Sequence, residues 1–272
     1  MEAGEPDEID IDTPSSARMY DYYLGGSTNF QADRDAAERV IAAVPTVPII
    51  ARANRAFLHR AVRYMTDRGV RQFLDIGSGV PTVGNVHETA QAKTPGVRTV
   101  YVDVDPVAVA HSTQLLKDNP DAAAIRADIR FPDYILGHPT TRELLDLSQP
   151  VGLLTVSMLH FLNDDDAYPA VERLRTALPA GSYHALSHIA AEGTLATAPT
   201  VDRVSQIYRG ADVAAAVIRT RAGIQRFFGD ATLVEPGLVW ATQWHPSDPD
   251  PTDDPASISI LAGVAIKQEP PQ

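Results

Sequence analysis

The 272-residue sequence contains no cysteine. Disulfides, thiolate nucleophiles and cysteine-ligated zinc are thereby excluded. Positive charge is scarce: 23 Lys and Arg stand against 35 Asp and Glu, a formal net charge of −12. No Lys/Arg run breaks that excess, so no phosphate-tracking patch is in view and a nucleic-acid partner is not expected. Long apolar stretches are missing too. None approaches the ~20 residues that cross a bilayer, so no membrane partner is expected. The opening MEAGEPDEIDID has neither a basic n-region nor an apolar h-region, and the expected location is cytoplasmic. What remains is an ordinary globular composition, 44% hydrophobic and 21% charged. Its length suits one large α/β domain or two small ones.

The chain is organised around Phe73–Thr82, FLDIGSGVPT. An apolar run ends abruptly in Gly77-Ser78-Gly79, and a helical pattern follows. This reads as a buried strand, a tight glycine turn and a helix start that offers free N–H groups and a positive dipole end. Glycine lets a ligand lie against bare backbone.

Before this turn the sequence is different in kind. Residues 1–15 read as a flexible acidic tail. Residues 16–70 read as a helical arm. Within it, Tyr20, Tyr22, Tyr23, Leu24 and Phe30 surround Gly25-Gly26, which suggests a bend held by packed rings. Two readings stand open: a structural arm packed on the core, or a lid over a ligand. Helices are expected over 31–44 and 49–68, with Pro45 and Pro48 between them and Gly69 as a C-cap. Arg52, Asn54 and Arg55 near the second helix's start read as a solvated face, or else one arginine turns inward to hold a carboxylate.

From residue 71 onward strands alternate with helices. Strands are expected at 71–76, 97–103, 122–127, 151–157 and 181–188. Helices are expected at 83–93 with Thr82 as N-cap, at 106–117, 142–147 and 164–178, and then at 201–209 and 219–228. Two closing strands, 231–239 and 257–266, flank a Pro/Asp-rich loop and have no helix between them. The pattern predicts a doubly wound, mostly parallel α/β sheet with helices on both faces and an antiparallel hairpin at its edge.

Ligands of such sheets bind beyond the carboxyl ends of the strands. Here those ends carry Asp75-Ile76-Gly77-Ser78-Gly79, Asp103 and Asp128. Asp103 stands where a carboxylate accepts from both hydroxyls of a ribose, and Asp128 could accept from an adenine amino group. Two carboxylates and a glycine turn match an adenosine and would repel a string of phosphates. The dinucleotide fingerprint G-x-G-x-x-G fails at Thr82, and Val80 and Pro81 crowd the pyrophosphate space. A nicotinamide oxidoreductase is thereby disfavoured. No G-x-S-x-G nucleophile motif occurs. His184 and His188 share a strand face and with Glu192 could form a metal site, though such pairs are more often structural, and no metal is expected. Tyr208 and Arg209 are candidate walls of an acceptor pocket.

The blocks YDYYLGGSTNFQADRDAAE, ARANRAFLHRAVRY, QFLDIGSGVPTVGNVHE, VYVDVDPVAVAH, ADIRFPDYIL and SMLHFL, spread over roughly residues 16–266, resemble the actinobacterial S-adenosyl methyltransferase family formerly listed as a domain of unknown function, within the class I S-adenosylmethionine-dependent methyltransferases. The bias of Arg over Lys fits such a source. The resemblance implies a Rossmann-like sheet of seven strands over 71–268, with S-adenosylmethionine as cofactor and methyl transfer to a small-molecule acceptor. It implies that Asp75, Gly77, Ser78 and Gly79 meet the methionyl part and ribose. Asp103 would hold the ribose hydroxyls, with Val104 beside the adenine and Asp128 and Ile129 framing it. Ser157 would approach the methionyl amino group or sulfonium, with His160 near the transferring methyl. Tyr20, Gly25 and Asn29 would close over the cofactor. His160 is the one candidate base; otherwise it lines the pocket without proton chemistry. A protein that binds S-adenosylmethionine or S-adenosylhomocysteine without turnover, as a regulator, is the alternative.

Overall fold

The computed structural model describes residues 10–81, 84–193, 203–204, 206–207, 216–246 and 254–269. Three helices come first: α1 (Ser16–Tyr23), α2 (Gln31–Ala43) and α3 (Val47–Asp67). Then follow β1 (Gln72–Ile76), α4 (Val86–Gln91), β2 (Arg98–Asp103), α5 (Pro106–Leu116), β3 (Ala122–Arg126), α6 (Pro132–Gly137), α7 (Pro139–Leu144), β4 (Gly152–Val156), α8 (Asp164–Ala177) and β5 (Tyr183–Ile189). The chain closes with α9 (Arg221–Arg226), β6 (Thr232–Leu233), β7 (Val239–Trp240) and β8 (Ile260–Ile266). Among the described residues, no helix is long and apolar enough to cross a membrane.

The sheet runs β3-β2-β1-β4-β5-β8, with β6 and β7 both on the outer edge of β8. Pairings from β3 to β5 are parallel, and β8 is antiparallel to β5. This is the predicted Rossmann-like sheet of seven positions. The seventh is not the single strand expected over 231–239. Leu233 pairs with Ala265 and Val239 with Ala262, and a turn closed by Gly237 N–H to the Val234 carbonyl at 2.8 Å separates them. The Pro236-Gly237 pair was the turn signal for that break.

Both faces of the sheet are covered, so its strands are apolar on both sides. Leu74 and Ile76 point into one cluster with Val102, Leu153, Leu159, Leu174 and Phe227. Phe73 points into the other, with Phe57, Val62, Met65, Leu154 and Trp244. Strand periodicity therefore sends Asp75 to the face of Phe73, toward α3. A third cluster, Met19, Tyr23, Ala36, Ala37, Val40 and Ala51, packs α1 and α2 on the start of α3.

Other expectations shift in detail. Pro48 does not end α2; it sits in the first turn of α3, where a missing N–H is harmless. The helix after β1 starts at Val86, capped by a box between Asn85 and Glu88. Thr82, expected as its N-cap, lies outside the described residues, as do Tyr208, Arg209 and most of 201–209. The helix expected at 142–147 is instead the end of α7, and α6 before it was not anticipated.

Candidate active site

The strand order places β1 and β4 side by side, with the chain crossing outward to β2 and β3 from one and to β5 from the other. That is the topological switch point, and the loops after β1 and β4 part there. A cavity of about 1000 Å³ opens at this point. Its walls come from the ends of β1, β2, β3 and β4 and from α1 and α3.

The glycine turn forms the floor. Gly77 and Gly79 both have φ of +67°, the left-handed region that L side chains seldom adopt. They differ in surroundings. A Cβ on Gly77 would come within 2.7 Å of Met158 Cβ, whereas a Cβ on Gly79 would meet nothing within 4 Å. Gly77 and Ser78 donate to the Val102 carbonyl at 2.8 and 3.2 Å, which ties the turn to β2.

Asp103 ends β2 beside this turn. One carboxylate oxygen accepts from Gly79 N at 2.7 Å, the other from Asp105 N at 2.9 Å. Each oxygen keeps a further lone pair for a group in the cavity. Burial raises the Asp103 pKa, while the backbone donors counter it. Asp75, facing the same cavity, has its pKa pushed up to about 7 by burial; the Arg55 charge opposes this and Asp103 adds to it. Asp128 accepts from the Arg130 backbone at 2.8 Å and from its guanidinium at 2.5 and 2.9 Å, so part of its acceptor capacity is already used.

Of the thirteen cofactor-site residues expected from the sequence, Tyr20, Asp75, Gly77, Ser78, Gly79, Asp103, Val104, Asp128, Ile129, Ser157 and His160 line the cavity. Gly25 and Asn29 do not. Gly25, at φ +80°, ends α1, and the Asn29 amide donates to Asp21 at 2.8 Å and to the Gly26 carbonyl at 3.0 Å. They serve a bend gripped by the Asp21 carboxylate, beside which Tyr20, Tyr22, Tyr23 and Leu24 pack in the third cluster.

The arm supplies other residues instead. Arg18, 4% exposed, donates to Asp33 at 2.8 Å, to Asp105 at 3.5 Å, and to the carbonyls of Thr13 and Asp10 at 2.6 and 3.3 Å. Ser15 also bonds Asp105, whose other oxygen caps α5 through Val107 N and Ala108 N. Thus α1, α2 and part of the expected tail are fastened beside Asp103. Tyr20 donates to the Ala51 carbonyl at 3.0 Å and accepts from Asn54 at 2.9 Å; Asn54 in turn accepts from Ser187 at 2.5 Å. The tyrosine is locked into the wall.

Past β4 the chain turns at Ser157, with φ of 58°, into a 3-10 turn, Leu159–Phe161. His160 there is buried, and burial, with His188 and Arg219 adding to it, holds its pKa well below the usual histidine value. Its Nδ1 is buried without a hydrogen-bond partner. Arg219 is the residue that sequence reasoning missed. Its guanidinium donates to the Leu159 and Leu162 carbonyls at 3.0 and 2.9 Å, to His188 Nε2 at 2.8 Å and to Asp164 at 2.9 Å. His188 Nδ1 faces the Ile189 carbonyl at 2.7 Å, so the proton sits on Nδ1 and Nε2 is the acceptor. No local pattern marked Arg219, because its partners lie far away in sequence. Arg219→Ala would orphan two carbonyls and the buried His188 nitrogen. A stability loss of about 3 kcal/mol is expected by denaturant unfolding.

His184 and His188 share a face of β5, as expected, but take different partners: His184 meets Thr155 Oγ1 at 2.8 Å. Among the described residues no group of three His, Cys, Asp or Glu is placed to hold a metal ion.

A family model described as S-adenosyl methyltransferase matches residues 2–268. The chain belongs to that family. Among solved structures, a putative methyltransferase from Thermobifida fusca is 38% identical with a TM-score of 0.89, covering 98% of this chain and 100% of its own. A DUF574 family protein from Streptomyces avermitilis is 39% identical, also at 0.89, covering 96% of this chain and 100% of its own. An O-methyltransferase family protein from Burkholderia thailandensis, 8% identical at 0.51 and covering 94% of this chain and 65% of its own, shares the fold alone. No curated protein matches. For this S-adenosyl methyltransferase family member, the glycine turn, Asp103 and the β4 turn are the natural place to seek the cofactor.

The raised Asp75 pKa has a consequence for stability. A carboxyl whose folded pKa exceeds its unfolded value of ~3.9 gives stability that is complete below that value and lost as pH rises through about 7. Asp75→Asn removes this loss. Its melting temperature relative to wild type should climb between pH 5 and pH 8, by an amount corresponding to up to about 3 kcal/mol. A difference that stays flat with pH would contradict it. His184 and His188, lowered to about 3 and about 4 by burial, act oppositely. Their contribution is present above ~6.5 and lost as pH falls toward 4 in both proteins, so it cancels in the comparison.

Proposed function

We propose that the cavity holds S-adenosylmethionine and that the protein transfers its methyl group to a small-molecule acceptor. The observation that carries this is Asp103. Its buried carboxylate is fixed by two backbone N–H groups at 2.7 and 2.9 Å and keeps a free lone pair on each oxygen. A rigid pair of acceptors on a cavity wall is complementary to a ribose diol. The rest of the lining agrees. Gly79 leaves room for a ligand against the backbone. Asp75 and Asp103, which no arginine pairs among the described residues, disfavour the phosphates of a dinucleotide.

When bound, the cofactor supplies a methyl group made electrophilic by the adjacent positive sulfur. This chain's residues then bind, orient and exclude water. Asp103 holds the ribose, Val104 and Ile129 frame the adenine, and the Asp128 oxygen bonded only to a backbone N–H takes the adenine amino group. Tyr20 and the Ser157 turn confine the methionyl end. His160 lines the cavity in its neutral form, and its Nδ1 is buried out of reach of an acceptor there. The cavity, at the upper end of the range for small-ligand sites, has room for a second small molecule beside the cofactor. Apolar residues such as Val44, Ile50, Phe161 and Ile218 line it.

The test is thermal shift and calorimetry with S-adenosylmethionine, S-adenosylhomocysteine and NAD. The two S-adenosyl ligands should raise the melting temperature with concentration, and NAD should not. Stabilisation by NAD alone would overturn the reading. Appearance of S-adenosylhomocysteine in a small-metabolite extract would separate an enzyme from a silent binder.

A further inference from the structure

The cavity is charged on one side and apolar on the other. Asp103, Asp105, Asp128 and Arg130 line it beyond β2 and β3. On the β5 and β8 side its wall includes Ile189, Val217, Ile218 and Ile260, and among the described residues lining that side none is charged. Across from them, α2 and the start of α3 present Val44, Val47 and Ile50, again without a charged lining residue before Arg55. The two walls are tied together at their base. Asn54 on α3 accepts from Ser187 on β5 at 2.5 Å and donates to Tyr20 at 2.9 Å, so the polar groups there serve one another. Ser187 and Ile189 share the face of β5 that meets α3, and Ile189 stands opposite Ile260 of β8. Ile50 lies one turn before Asn54. An apolar lobe is thus left beyond the Asn54–Ser187 bond. The Val217 N–H donates to the His160 carbonyl at 2.7 Å, which fastens a third wall beside the β4 turn.

Ile189, Val217 and Ile218 are only half-buried, and among the described residues they join none of the three core clusters. Their apolar surface faces the cavity instead. An ion placed against it would shed water without gaining a partner, whereas apolar surface gains by being covered. We infer that the methyl acceptor is an uncharged, largely apolar molecule, its hydrocarbon body held between the start of α3 and the ends of β5 and β8. Its reacting atom faces the Ser157 turn. Ile218 is a specificity-determining residue for this acceptor. The inference rests on the cofactor reading above, which brings the methyl group to the β1 and β4 turns beside this lobe.

The test uses the full chain saturated with S-adenosylhomocysteine and two fluorescent probes. Phenylnaphthylamine is uncharged, and anilinonaphthalene sulfonate carries the same rings with a sulfonate added. The neutral probe should bind at least about tenfold more tightly than the anion. Ile218→Asp should weaken the neutral probe about tenfold or more, while S-adenosylhomocysteine, read by calorimetry, stays within about threefold of wild type. Ile218→Leu should keep the wild-type affinity for both. Turnover supplies a second arm, with a small-metabolite extract partitioned between ethyl acetate and water at neutral pH. S-adenosylmethionine should be converted to S-adenosylhomocysteine with the organic fraction and not with the aqueous one, and the neutral probe should inhibit it. Tighter or equal binding of the anionic probe, or turnover confined to the aqueous fraction, would overturn the inference. Unchanged probe affinity in Ile218→Asp would overturn it as well. So would an equal loss of probe and S-adenosylhomocysteine, which would place Ile218 in folding or in the cofactor site. Failure of wild type to bind S-adenosylhomocysteine would overturn the cofactor reading, and this inference with it, whatever the probes do.

Discussion

Replacing Asp103 with alanine is expected to weaken S-adenosylmethionine binding by about 100-fold or more. The carboxylate would lose two charge-assisted hydrogen bonds to the ribose, each worth about 1.5–3 kcal/mol. The fold should survive. Asp103 is a desolvated charge at a cavity wall, and the two N–H groups it now satisfies, on Gly79 and Asp105, border space that water can enter. A stability change within about 1 kcal/mol is therefore expected. Asp103→Asn sharpens the test. It keeps the shape and one acceptor but offers an amide to Gly79 or Asp105, where a donor is wrong. Its affinity should fall about tenfold. Unchanged calorimetric affinity in Asp103→Ala would show that the diol is bound elsewhere.

The second large effect separates two glycines with the same backbone angle. Gly77→Ala places a Cβ in the left-handed region and drives it to 2.7 Å from Met158 Cβ. Left-handed strain costs about 1–2 kcal/mol and overpacking about 1–3. A loss near 3 kcal/mol is expected by denaturant unfolding, with the β1 and β4 turns displaced together. Gly79→Ala carries the strain without the collision, so about 1–2 kcal/mol is expected. Its new methyl group enters ligand space, and it should lose cofactor affinity more than stability. Equal stability losses in the two variants would contradict the packing argument.

Much of this arrangement was legible in one dimension. The run Phe73–Ile76 ending in Gly77-Ser78-Gly79, and the carboxylates Asp103 and Asp128 at later strand ends, are local patterns. A strand declares itself by apolar runs and a turn by glycine, and the parallel order follows from the helices between. The departures have a common cause. Gly25 and Asn29 were expected over the ligand from the family resemblance, and the structure adds a contact the sequence does not mark: the Asp21 carboxylate, seven and eight residues away, accepts from Thr28 and Asn29. Arg55 and Arg52 look alike in sequence, three positions apart at the start of one helix. Which of them faces the sheet depends on how α3 lies across β1.

The sequence by itself determined the doubly wound sheet, the glycine floor and the acids at the strand ends, because these depend on the conformational preferences and periodicity of neighbouring residues. Only the tertiary structure decided which charges meet. Arg18 is sealed against Asp33 and Asp105, Arg219 grips the turn that carries His160, and Arg55 is left facing Asp75 across the cavity. Coulomb energy and desolvation depend on distance and burial in space, and separation along the chain encodes neither.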